Sequence, residues 1–165
     1  GNDLSRLSNE IDKLALNLGG KTSITEDEIE KFVGVSKEFN VFELQQAIAQ
    51  RDLYKAVRIV NYFGSNPKAA PLQLVFPSLY NFFSKVQVVY TVTSRDEKTV
   101  ASALGVNAFF VKDYVSTATR FTYPEIEKIL LLLYEYNLRN VGVNDAGTDA
   151  ADLLKEMVVK MIAPL

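Results

Sequence analysis

The sequence contains no cysteine and no histidine. The first absence removes every disulfide, and the two together remove Cys/His zinc sites, haem held through His or Cys, Cys–His proteases and Ser–His–Asp triads. A metal site would have to be built from oxygen ligands. A general base would have to be a carboxylate, a lysine, a tyrosine or the amino terminus. An excess of positive charge is lacking too: 18 Lys and Arg stand against 20 Asp and Glu, for a net charge of −2 and a pI near 5.3. A dedicated duplex-DNA binder carries a basic face, so nucleic-acid contact here is expected to be local and assisted by other subunits. Long apolar runs are also missing. The richest, Ile129 to Leu133, is bounded by Glu127, Lys128 and Glu135 and falls far short of the roughly 20 residues of a membrane span.

What is present is an ordinary globular composition, 48% hydrophobic and 23% charged over 165 residues. The chain opens on Gly1 rather than Met and its first residues already follow a helical pattern. We therefore expect a piece of a longer protein, with Gly1 an artificial leader residue and no signal peptide.

Helical periodicity runs almost throughout. Leu4, Leu7, Ile11, Leu14, Ala15 and Leu18 share one helix face, ended by Gly19 and Gly20. Thr25 and Glu28 form a capping box, and the acids Glu26 to Glu30 complement that helix's dipole rather than bind metal. Residues 34–37 read as a linker. Asn40 with Glu43 opens the next helix, buried through Val41, Leu44, Ala47 and Ile48. Asp52 opens another that packs through Leu53, Ala56, Val57, Val60 and Phe63, and residues 64–67 break the chain. After Pro71, a segment to about Thr93 is apolar on nearly every side, including Leu72, Leu74, Phe76, Leu79, Phe82 and Phe83. That predicts a central core helix, kinked or restarted at Pro77. Ser94 opens a helix ended by Gly105, Asn107 caps one reaching about Arg120, Thr122 and Glu125 start a long one, and the last carries Leu153, Leu154, Met157, Val158 and Met161. About nine helices with few strand signals predict an all-α helical bundle.

Few motifs suggest chemistry. Gly20-Lys21-Thr22 resembles the end of a phosphate-binding loop, but Ala15 occupies the position of its first glycine and a helix, not a strand, precedes it. Ala101, Gly105 and Val111 have helix-turn-helix spacing, yet the second helix begins with Ala108, Phe109 and Phe110, which offer nothing to base edges. Its only basic residues are Lys112 and Arg120, the candidate nucleic-acid contacts. The two phenylalanines are expected to face the core. Asn144, Asp145, Asp149 and Asp152 lack the ligand alternation of a calcium loop, and a helix cap at Thr148 or Asp149 accounts for them better. The aromatics Phe82, Phe83, Tyr90, Tyr134 and Tyr136 could form a stacking platform but fit a core. No catalytic, cofactor-binding or metal-binding residue is assigned.

One ordered set of segments goes further. Glu38-Phe39-Asn40-Val41-Phe42-Glu43-Leu44, preceded by Asp3-Leu4, Leu7, Asn9, Glu10, Ile11, Lys13 and Leu14, resembles the delta subunit of the bacterial DNA polymerase III clamp loader. Asp52-Leu53 with Ala56 and Arg58, Pro71-Leu72, Ala103-Leu104-Gly105-Val106 and Phe109-Phe110-Val111 continue the likeness in order. The resemblance implies residues 1–36 as the end of a small helical AAA+ lid domain and residues 37–165 as a helical collar. It further implies a non-catalytic oligomerisation role in a pentameric loader that opens the sliding clamp and places it on primed DNA. The parent complex is the polymerase holoenzyme, in the bacterial cytoplasm, and no membrane or cofactor is involved. The partners implied are the gamma/tau and delta-prime subunits, with the clamp gripped by a domain outside this chain and DNA reached through the complex. The loop from Val141 to Gly147 carries no aromatic for a template strand. For the partner-facing surface we expect Tyr134, Tyr136, Arg139 and Met157 on the last two long helices, of types enriched at interface centres. Two other classes stay open: a stand-alone helix-turn-helix regulator and a helical accessory domain of another assembly.

Overall fold

The chain divides into two units, Gly1–Glu38 and Phe39–Leu165. In the computed structural model, residues 39–163 are described, apart from 69, 95 and 146. The expected first helix, its glycine stop, the Thr25 capping box, the Gly20–Thr22 motif and the 34–37 linker lie outside the described residues.

Seven α-helices and one 3-10 turn make up the described residues, which contain no strand. They are α1 (Val41–Ala49), α2 (Leu53–Ser65), α3 (Leu72–Val89), α4 (Glu97–Leu104), the 3-10 turn (Ala108–Phe110), α5 (Val111–Arg120), α6 (Tyr123–Asn140) and α7 (Ala150–Ile162). The fold is all-α.

Local chemistry sets most boundaries. Asn40 and Glu43 exchange the two hydrogen bonds of a capping box, with Glu43 N donating to Asn40 Oδ1 at 3.0 Å and Asn40 N to Glu43 Oε2 at 3.3 Å. Asp52 Oδ1 accepts from Lys55 N at 2.9 Å at the start of α2. The α4 cap is Asp96 rather than Ser94: Asp96 Oδ1 accepts from Thr99 N at 2.9 Å, while the Ser94 hydroxyl donates to the other carboxylate oxygen. These contacts hold the Asp96 carboxyl down at about 2, Ser94 being the largest cause and Thr99 the next. Gly105 ends α4 at φ 61°, left-handed backbone that favours glycine. Asn107 Oδ1 caps the 3-10 turn through Phe109 N. At α6, the Glu125 carboxylate accepts from both Thr122 N and Thr122 Oγ1.

Helix α3 is central, packed by α1, α4, α5 and α6, while α7 closes the other side against α2, α6 and α1. Buried Leu44 and Ile48, Ile59 and Val60, Leu79 and Phe83, Ile126 and Ile129, and Leu153 and Met157 form one continuous core. Phe83 meets Phe82 and Phe121 edge-on. Tyr90 Oη donates to the carbonyls of Ala118 and Phe121, fastening the end of α3 to the α5–α6 junction.

Expectations about burial fail at Leu53 and at Phe109 and Phe110, and the restart offered as one alternative at Pro77 does not occur. Leu53 sits in the first turn of α2, before the buried stripe of Ala56, Ile59, Val60 and Phe63 begins, and is exposed. Pro77 neither breaks nor restarts α3, which runs unbroken from Leu72 to Val89. Phe109 and Phe110 do not enter the core: they are 69% and 43% exposed, and the chain turns inward only at Val111, three residues after Ala108, where α5 begins. A 3-10 turn stacks positions three apart, so one side chain of the run packs and its neighbours swing out.

Candidate functional site

No group of three or more acidic side chains is arranged to hold a metal ion among the described residues. One cleft, about 270 Å³, lies between the end of α2 and the starts of α3 and α7, against Phe63, Pro67, Leu72 and Leu154. Its carboxylate, Asp149, already accepts from Ala151 N as the α7 cap, so the cleft holds no spare reactive group.

The unusual feature is a surface. Helix α3 carries a single charged residue, Lys85, in 18 positions. Its outward positions Gln73, Leu74, Pro77, Tyr80, Asn81 and Val88 are all exposed and none carries a charge at neutral pH. On α6, Leu131 and Tyr134 are exposed as well, at 68% and 64%. The two helices run antiparallel: Gln87 Nε2, near the end of α3, donates to Tyr123 Oη at the start of α6. The Tyr90 and Tyr123 rings also meet at 5.5 Å. That bond marks the seam between the helices. Tyr80 stands seven residues before Gln87 and Tyr134 eleven after Tyr123, two and three whole turns, so both return to the seam side of their helices. At 1.5 Å per residue they lie about 10 Å and about 16 Å along the same direction from the bond, which brings the two tyrosines to nearby levels of one face.

The four residues expected to meet a partner separate. Tyr134 is exposed. Tyr136 and Met157 are wholly buried, which corrects their expected exposure: Tyr136 falls in phase with Ile129 and Leu133, and Met157 with Leu153, Leu154 and Met161, all core positions. The Arg139 guanidinium lies 4.8 Å above the Tyr136 ring and the Lys160 ammonium 5.4 Å from it. Tyr136 Oη is buried beside Lys160 and Glu156 without a well-formed hydrogen bond to either, and burial foremost pushes its pKa up.

Arg139 is committed internally. Its Nε donates to Asp145 Oδ2 at 3.0 Å and its Nη1 to Glu156 Oε2 at 3.1 Å, while Lys160 Nζ donates to Glu156 Oε1 at 2.8 Å. Asp145 also accepts from the backbone N–H groups of Gly147 and Thr148. The Thr148 amide, with Arg139 and Gly147 behind it, holds Asp145 at about 2, and Lys160 foremost, then the Tyr136 hydroxyl and Arg139, holds Glu156 at about 2. The cluster fixes the loop between α6 and α7 and explains its acids without a cation.

Lys112 and Arg120 are exposed but do not form a basic patch. The Lys112 ammonium rests 5.5 Å from the Phe109 ring, and Arg120 turns back on its own helix to Ser116. Helices α4 and α5 follow one another across Gly105, but the 3-10 turn between them presents two phenyl rings rather than polar side chains.

Sequence reasoning missed Leu74, Tyr80 and Leu131 as surface residues. The signal was present: an apolar arc right round α3 exceeds what a helix buries against neighbours on one side, and the missing charge marks the excess.

Comparison with known proteins agrees with the helical body. The family model for the DNA polymerase III delta subunit, C-terminal domain, matches residues 38–144. A DNA polymerase III subunit delta from Bacillus subtilis (strain 168) is 28% identical over 139 residues, spanning 82% of this chain and 40% of its own length. The solved structure of the Bacillus subtilis DNA clamp loader delta protein superposes with a TM-score of 0.59 at 25% identity, covering 96% of this chain and 46% of that one. The chain thus spans less than half the length of the relatives it matches. With the family model covering all of α1 to α6, this chain belongs to the DNA polymerase III delta subunit family, through its C-terminal domain.

Proposed function

We propose that residues 37–165 are the collar of a clamp-loader delta subunit and that their role is assembly rather than catalysis. The collar holds the subunit against the gamma/tau and delta-prime collars as one segment of a pentameric loader, which opens the sliding clamp and places it on primed DNA. Residues 1–36 are the end of the lid domain. The clamp itself is met by a part of the subunit outside this chain. The observation that carries this reading is the exposed, charge-free outer face of α3 on a helical body of this family. Water tolerates such a face poorly, and a protein partner covers it well. A ring segment also needs two unlike lateral faces, because heterologous contacts are what close rings.

The test is co-purification of this chain with purified gamma/tau and delta-prime subunits at micromolar concentration. A stable complex is expected. If a longer delta subunit binds while this chain does not, the association surface lies outside it and the assembly role assigned here is wrong.

A further inference from the structure

We infer that the corner formed by Phe109, Phe110 and Lys112 is a docking site for a short acidic segment of a protein outside the loader ring. The segment sets an apolar side chain between the two rings and a carboxylate on the lysine. This goes beyond the assembly reading and does not depend on it.

The rings are held out on a stiff bend. Gly105 turns the chain at φ 61°, with Gly105 N donating to the Ser102 carbonyl at 3.3 Å and Val106 N to that of Ala101 at 3.1 Å. Asn107 then closes the 3-10 turn. Its Oδ1 accepts from Phe109 N at 2.9 Å and its carbonyl from Phe110 N at 3.0 Å. Buried Leu104 and Val111 pin the bend at both ends. The phenyl centroids stand 5.2 Å apart with their planes at 86°, which makes an L-shaped notch rather than a flat stack. At 69% and 43% exposed, the pair leaves about one ring's worth of apolar surface in water, on the order of 200 Å². A subunit interface takes roughly 800 Å² from each partner, so this corner suits a single anchoring side chain on a short segment.

Charge selects the segment. From Thr99 to Val111 the chain carries no charged residue. The Lys112 ammonium lies 5.5 Å from the Phe109 ring, and no ion pair among the described residues involves it. Glu97 and Lys98 stand at the other end of α4, about 10 Å along the helix from the bend. Asp113, the next residue on α5, is half-buried, and its charge bears on Tyr114, whose pKa burial foremost and then Asp113 raise. A lone exposed cation beside apolar rings attracts a carboxylate flanked by an apolar side chain and repels a basic segment. Nucleic acid fits less well. A phosphate strand needs a row of cations, and rings at right angles offer no platform on which successive bases stack.

The experiment uses the 165-residue chain and a panel of fluorescein-labelled peptides about seven residues long. Each peptide sets Asp or Glu around a central Leu-Phe, Ile-Phe, Met-Leu or Phe-Phe pair. Fluorescence anisotropy reads binding to wild type, Phe109→Ser, Phe110→Ser and Lys112→Glu, with Tyr54→Ser and Leu74→Ser as exposed apolar controls elsewhere. All the altered positions are exposed, and melting curves check that each variant keeps its fold. At least one peptide is expected to bind with a Kd below about 100 μM. The corner variants are expected to weaken it by about 10-fold or more, and the controls by less than about 2-fold. Replacing the peptide's acids with lysines is expected to abolish binding. A panel without saturable binding below about 1 mM overturns the inference, as do folded corner variants that bind normally. An oligo-dT strand that binds more tightly than any peptide and is lost in Lys112→Glu also overturns it, because the corner would then serve nucleic acid. Displacement of the peptide by purified gamma/tau or delta-prime subunits overturns it too, by placing the corner inside the ring's own contacts.

Discussion

Removing the Arg51 side chain is expected to destabilise the domain more than any other exposed-side substitution. Arg51 occupies the turn between α1 and α2 at φ 56°, a left-handed conformation unusual for a residue other than glycine. Its guanidinium reaches across the bundle. Nε donates to the Arg120 carbonyl at 3.1 Å, Nη1 to the Ile162 carbonyl at 3.4 Å, and Nη2 to Glu125 Oε1 at 2.5 Å, while the plane covers the Phe121 ring at 4.0 Å. The ion pair is mostly shielded, with side chains 27% and 19% exposed, so it escapes the full discount of a surface bridge. Hydrogen bonds from a charged donor contribute about 1.5–3 kcal/mol and a partly desolvated cation–π contact about 1 kcal/mol. Allowing for non-additivity, Arg51→Ala should cost about 3 kcal/mol, near 10 °C in melting temperature for a domain of this size. Backbone strain gives a second, opposite signal. Arg51→Gly deletes the same side chain but frees the left-handed position, so it should be more stable than Arg51→Ala by about 1 kcal/mol. Arg51→Lys keeps the charge without the fork and should fall between wild type and Ala. Urea denaturation of the four proteins at pH 7 decides the matter. An Arg51→Ala cost below 1 kcal/mol, or a glycine variant no better than the alanine one, would refute the argument.

Gly64 faces α7 so closely that an added Cβ would stand 2.9 Å from the Ala151 Cβ; Gly64→Ala is therefore expected to lower stability by about 1–3 kcal/mol by thermal melting, despite alanine's better helix propensity. Phe109→Ser should change stability by less than about 0.5 kcal/mol, whereas Phe83→Ala, fully buried, should cost about 3–5 kcal/mol. Asp145 and Glu156 have folded pKa values near 2, below their ordinary 3.8 and 4.5, so their contribution is complete above about pH 5 and is lost as pH falls towards 2. Melting temperature should drop across that window, and Asp145→Asn should flatten the drop; an unchanged acid limb in that variant would contradict the assigned network.

The helices were legible because their signals are local. Asn40 with Glu43, Asp52, Gly105 and Thr122 with Glu125 act within four residues, and each boundary they predict is the boundary observed. The α7 stripe of Leu153, Leu154, Met157, Val158 and Met161 is buried in full. The surface was harder. Periodicity tells which residues are apolar but not how many neighbours a helix has, so α3 reads as wholly interior although its outer arc is bare. Likewise the residue types favoured at interfaces are those favoured in cores, which drew Tyr136 and Met157 into the wrong class and let Phe109 and Phe110 pass as buried. Arg51 left no trace in the pattern at all, because its partners lie 69 to 111 residues away in sequence.

Helix α7 gives the domain a particular timing. It packs on α2 and α1, elements from which it is separated by about a hundred residues, as well as on α6, which directly precedes it. On the ribosome, α1 to α6 emerge with the apolar sides of Ile59, Val60 and Phe63 still uncovered, and only the appearance of residues 150–162 covers them. The nascent chain thus spends the synthesis of the intervening segment with a sticky flank that chaperones can hold. If α7 docks last in folding as well as in synthesis, Met157→Ala should speed unfolding more than it slows refolding; refolding slowed with unfolding unchanged would place α7 in the nucleus instead.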